Sequence, residues 1–102
     1  MAGAACADET ADRRSVRSVA AEAAEVLRLH EAGKVSDVYL DKMKQNAREQ
    51  LQDADKSAGD RDPALRRAIG ESMMALDNND AGALRAIADR LFAMAGPRGS
   101  AS

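Results

Sequence analysis

The sequence predicts an all-α fold, a small antiparallel bundle of three or four helices. Three observations carry this. Apolar residues recur at spacings of three and four along most of the chain, as on one face of a helix. Helix start and stop signals punctuate those stripes at short intervals. No stretch alternates polar and apolar residues in the manner of a strand.

The first 11 residues are small and lack periodicity, and they read as a disordered lead-in. From Asp12 a stripe runs through Val16, Val19, Ala23, Val26, Leu27 and His30, with Arg14, Arg17, Glu22, Glu25 and Arg28 on the opposite face. Gly33 then either closes this helix in the left-handed conformation or is tolerated within an unbroken one, which leaves the helix count at three or four. A restart suits the residues that follow. Ser36 is a good N-cap, Asp37 favours the positive end of a helix, and Val35 is placed to staple onto Leu40.

The second helix is expected from Asp37 to about Lys56, with Leu40, Met43, Ala47, Leu51 and Ala54 as its apolar face. Residues 57–61 read as a loop. Asp62-Pro63 opens a third helix, an acidic N-cap followed by proline at the first helical position. Its stripe is Leu65, Ile69, Ser72, Met73 and Leu76. The turn Asp77-Asn78-Asn79-Asp80 leads into a fourth helix carrying Leu84, Ile87, Ala88 and Leu91, with Gly96-Pro97 as its stop and 97–102 as a disordered tail. One domain over residues 12–96 accounts for these elements, as expected for a chain of 102 residues.

Composition limits the core. Of the 102 residues, 23 are alanine and only 16 are Leu, Ile, Val or Phe, so the core is thin and alanine-padded. A net charge of −2 argues against both disorder and a dedicated nucleic-acid binder. One cysteine, Cys6, excludes an internal disulfide, and no apolar run approaches the roughly 18 residues of a membrane span. The opening segment lacks the basic start and leucine-rich core of a signal peptide, so a cytoplasmic location is expected.

Chemistry is sparse. His30 and Cys6 are single residues in different regions, so no zinc cluster forms and no cofactor is expected. The turn at Asp77 offers a glycine at the sixth position of a calcium loop, Gly82, but Ala81 and Ala88 stand where the fifth and twelfth ligands belong. It reads as a turn and helix cap. No phosphate loop or nucleophile–base pair is present, which points away from an enzyme.

Residues 48–95 resemble the C-terminal helical lid of the 70-kDa heat-shock chaperone family, the DnaK type. The likeness rests on Arg48-Glu49-Gln50-Leu51, Ala54, the Asp60-Arg61-Asp62 loop, Leu65, Ala68, Ile69, Ala75-Leu76, the turn at 77–80, and Leu84, Ala86 and Leu91. It implies a lid-like helical domain that binds or covers a protein surface. The chain has no ATPase or β-sandwich portion to go with such a lid, and Gly33 falls where that family runs one long helix.

The function expected from these readings is a non-enzymatic protein–protein interaction module, chaperone-lid-like or self-associating. Its candidate partner-binding residues are Val16, Val19, Val26, Leu40, Met43 and Met74. The stripes of the first two helices bury against each other or a partner, and Met74 lies beside its stripe, where a flexible thioether suits a docking surface. The alternative is a small nucleic-acid-associated regulator, with Arg13, Arg14, Arg17 and Arg28 as phosphate contacts.

Overall fold

A computed structural model describes the backbone of residues 2–101 and the side chains of residues 11–92. Four helices follow one another: α1 (Ala2–Glu31), α2 (Asp37–Ala58), α3 (Pro63–Asp77) and α4 (Ala81–Ala101). There is no strand among the described residues.

The break at Gly33 is real, which fixes the count at four. Gly33 adopts φ +76°, its N–H donates to the His30 carbonyl (2.9 Å), and the Lys34 N–H donates to the Leu29 carbonyl (2.8 Å). These paired bonds form a Schellman motif, and they satisfy carbonyls that a bare helix end leaves without partners. Three residues later Ser36 caps α2, its Oγ accepting from the Tyr39 N–H at 3.1 Å. Val35 packs against the core as the staple requires.

α2 runs two residues beyond its expected end and continues into a single 3-10 turn, Gly59–Arg61. The added turn is anchored by Arg61, whose guanidinium donates to the carbonyls of Ser57 and Ala58. Asp62 caps α3 through a bond from the Leu65 N–H, with Pro63 at the first helical position. The 77–80 turn repeats the Gly33 motif with a different residue. Asn79 takes φ +53°, and Asn79 and Asp80 donate to the Leu76 and Ala75 carbonyls. Asp80 then caps α4 by accepting from the Ala83 N–H.

The backbone of α4 continues through Gly96 and Pro97 to Ala101, past the stop expected there. A proline inside a helix removes one hydrogen bond and crowds the carbonyl four residues back, the physical reason a stop is expected there. The side chains of 1–10 and 93–102, including Cys6 and Met94, lie outside the described residues. The disordered ends expected at 1–11 and 97–102 fall almost entirely there.

Consecutive helices are antiparallel neighbours. α1 packs chiefly against α4 and α2, and α3 closes the ring between α2 and α4. α1 alone extends about 45 Å at 1.5 Å per residue, which sets the 48 Å long axis of the molecule. Val16, Leu27, Leu51, Leu65, Ile69, Leu76, Leu84 and Leu91 form the fully buried centre. Nine alanines, among them Ala20, Ala24, Ala47 and Ala68, fill the spaces between the larger side chains. Small residues let helix axes approach closely but remove little apolar area from water per residue.

Candidate functional site

The strongest polar constellation joins α1 to the head of α3. Arg13 donates from Nε to Asp62 Oδ2 (2.8 Å) and from Nη2 to Asp62 Oδ1 (2.9 Å). The same carboxylate caps α3 at Leu65. Asp62 is 5% exposed, and the bond from Arg13 holds its carboxyl below the usual carboxylate range, against the upward push of burial. Both carboxylate oxygens are engaged by the chain's own donors, so the arrangement is a clamp between helices.

The turn at 77–80 is likewise occupied by its own chain. Arg48 pairs with Asp77, Lys44 Nζ donates to Asn79 Oδ1 (2.7 Å), and Asp80 caps α4. Its oxygen-rich sequence therefore serves as caps and interhelical bridges. Among the described residues no group of three or more His, Cys, Asp or Glu side chains is placed to hold a metal ion. His30 sits half-buried at the end of α1, with Nε2 2.6 Å from Asp37 Oδ1.

Of the six side chains expected to face a partner, Val16, Val19, Val26 and Leu40 are buried within the chain's own core. α1 lies between α2 and α4, so these four side chains make most of their contacts within the chain. Met43 is half-buried against that core, and Met74 is 67% exposed on α3. Among the described residues of α3 no other large apolar side chain is exposed, and a single exposed one is ordinary for a protein surface.

One surface that combines shape with exposed apolar area lies between α1 and α2. A groove of about 300 Å³ has Val19, Ala23, Val26, Met43 and Ala47 as its apolar lining. Glu22 stands on the α1 wall, and Tyr39, Lys42, Asn46 and Gln50 on the α2 wall. Tyr39 is 55% exposed. Nothing in the reading of residues above singled it out, yet a signal was there. Tyr39, Met43, Asn46 and Gln50 fall at spacings of four, three and four, a second stripe along the edge of the core face. A further exposed ring, Phe92 on α4, is covered on one side by the Arg17 guanidinium, 5.1 Å from its centroid.

Compared with known proteins, the chain matches no family model, no curated sequence and no solved structure. No helix among the described residues is long and apolar enough to cross a membrane.

Proposed function

We propose that this chain is a non-enzymatic protein–protein interaction module that presents the α1–α2 face to a polypeptide partner. The observation that carries the reading is Tyr39, a large amphipathic side chain left exposed at the mouth of an apolar groove. Tyrosine there offers broad contact area with few rotatable bonds, and interface cores are enriched in it. The polar groups elsewhere support the same reading, because the clamp at Asp62 and the turn at 77–80 are used structurally.

The likeness of residues 48–95 to a chaperone lid agrees with a surface that contacts protein. The start of α2 at Asp37, after a capped break, departs from the long helix of that family, so the lid-like form of this role rests on the α2–α4 portion alone.

A nucleic-acid role draws less support. Arg13 is engaged with Asp62 and Arg17 with Phe92, leaving Arg14 and Arg28 exposed. Those two are separated by about 21 Å along α1, too far to make one phosphate-binding patch.

The test is site-specific photo-crosslinking in the native host, with the reactive side chain at position 39 and, as control, at Gln52 on the exposed side of α2. A polypeptide adduct formed from position 39 and absent from position 52 is expected. No adduct from position 39 would refute the module.

A further inference from the structure

We infer that the α1–α2 face receives a basic amphipathic helix, a segment of another polypeptide with one apolar side flanked by Lys or Arg. The inference rests on the interaction-module reading above and names the chemistry of its partner. Its ground is the charge that frames the apolar groove.

The register of the two helices follows from their cross-links. His30 lies level with Asp37 at one end, and Asp12 with Ser57 at the other. Ser57 thereby marks the side of α2 that faces α1. Asp53 and Glu49 lie about one and two turns before it, along the outward edge of that side. On the opposite wall stands Glu22. All three carboxylates are exposed, and none makes an ion pair or hydrogen bond among the described residues. The groove lining contains one cation, Lys42, which is exposed and likewise unpaired. On the outer shoulders of the hairpin, Glu25 and Lys56 offset each other.

The face is thus acidic on both walls, although the whole chain is close to neutral. The difference is one of placement. Arg17 and Arg85 line the α1–α4 side, and Arg48 and Arg66 are held in pairs on the side of α3. An occupant of the groove therefore meets an apolar floor with negative charge to its left and right, which a helix with basic flanks complements.

The shape selects a helix over an extended strand. Both walls are helices whose backbone groups are already bonded, so they offer no edge for strand addition. The floor runs from Val19 to Val26, seven residues or about 10.5 Å of helix. That length matches anchors at positions i, i+3 or i+4, and i+7 of a guest helix. Tyr39, exposed at one end, then closes over the last of them.

The chain has one tyrosine and no tryptophan, so its intrinsic fluorescence reports this face alone. The probe is a synthetic peptide of about 18 Leu and Lys residues with one apolar face, long enough to be helical by itself. Its control carries Glu in place of Lys. Added to the full chain, the Leu/Lys helix is expected to protect Tyr39 from acrylamide quenching, less so as salt is raised, and the Leu/Glu helix to leave it accessible. Lys42→Glu exchanges a repulsion for an attraction and tightens binding by about threefold to tenfold, and Glu22→Lys loosens it by a similar factor. Arg67→Glu makes the same charge change on the exposed side of α3 and stays within about twofold of the wild type.

Failure of the Leu/Lys helix to protect Tyr39 overturns the inference. Equal protection by the Leu/Glu helix does the same, as does an affinity that Lys42→Glu raises no more than Arg67→Glu. The crosslinking experiment separates this failure from failure of the module. An adduct from position 39, with Tyr39 unprotected by the Leu/Lys helix, removes the basic helix and keeps the module. Absence of any adduct removes both.

Discussion

Replacing Arg13 by alanine strips the Asp62 carboxylate of its bidentate partner while leaving it 5% exposed. Removing one member of a buried ion pair typically costs about 3–5 kcal/mol, because the remaining charge stays desolvated and uncompensated. The Arg13 side chain is itself 22% exposed, so water enters the space it vacates. The bond from the Leu65 N–H also persists. Both effects place Arg13→Ala at the low end, a loss of about 2–3 kcal/mol. A domain of this length has a total stability of about 5–15 kcal/mol. At about 4–8 °C per kcal/mol, the melting temperature falls by about 10–20 °C.

Urea titration followed by circular dichroism measures the free-energy loss. Adding Asp62→Asn to the Arg13→Ala background should recover part of it, since a neutral amide still caps α3 and carries no buried charge. The pH dependence gives a second readout. The folded-state pKa of Asp62 is depressed, chiefly by the Arg13 bond. The stability from this clamp is therefore fully present above the unfolded carboxylate value of about 3.9 and is lost as pH falls through the lower folded value. The gap between wild type and Arg13→Ala narrows correspondingly as the medium is acidified from about pH 5 downward. A loss under about 0.5 kcal/mol at neutral pH, the range of ordinary surface changes, would refute the clamp.

Four further substitutions probe the frame. Leu51→Ala empties a fully buried site on α2 and is expected to destabilise by about 2–5 kcal/mol in the same titration; an effect below 1 kcal/mol would mean that the thin core collapses around the change. Gly33→Ala and Asn79→Ala each force alanine into positive φ, with an expected loss of about 1 kcal/mol apiece. At Gly33 an added Cβ meets no atom within 4 Å, so any loss there reports backbone conformation and not a clash. Ser72→Ala removes a buried hydroxyl that donates to the Ala68 carbonyl at 2.8 Å. The gain in helix propensity offsets much of that lost bond, so the change stays within about 1 kcal/mol by thermal denaturation. A larger drop would show the hydroxyl to be essential to the α3 packing.

The local punctuation of this fold was legible residue by residue. Ser36, Asp62-Pro63 and Asp80 mark helix starts because each cap bond spans three residues and depends on little else. Asn79 was harder to read, because asparagine enters the left-handed region only when tertiary context and neighbouring bonds favour it. The stripe positions of α3 and α4 are buried as their periodicity indicates, with Met73 at the margin. Which neighbour covers each stripe was not legible, for a physical reason. A stripe states that a face is apolar, but not which neighbour covers it. Val16, Val19, Val26 and Leu40 found theirs inside the chain, while Tyr39, on the edge of the α2 face, was left in solvent.

An all-α chain, the places where its helices cap and turn, and the apolar face of each helix follow from the residues alone. Those properties arise from hydrogen bonds and spacings within a few residues. Helix packing sets the rest: α1 lies between α2 and α4, Arg13 meets Asp62 across 49 positions, and a groove with Glu22 and Lys42 on facing walls stays open. These depend on which helices become neighbours and in what register, and helix periodicity is the same whatever lies against it.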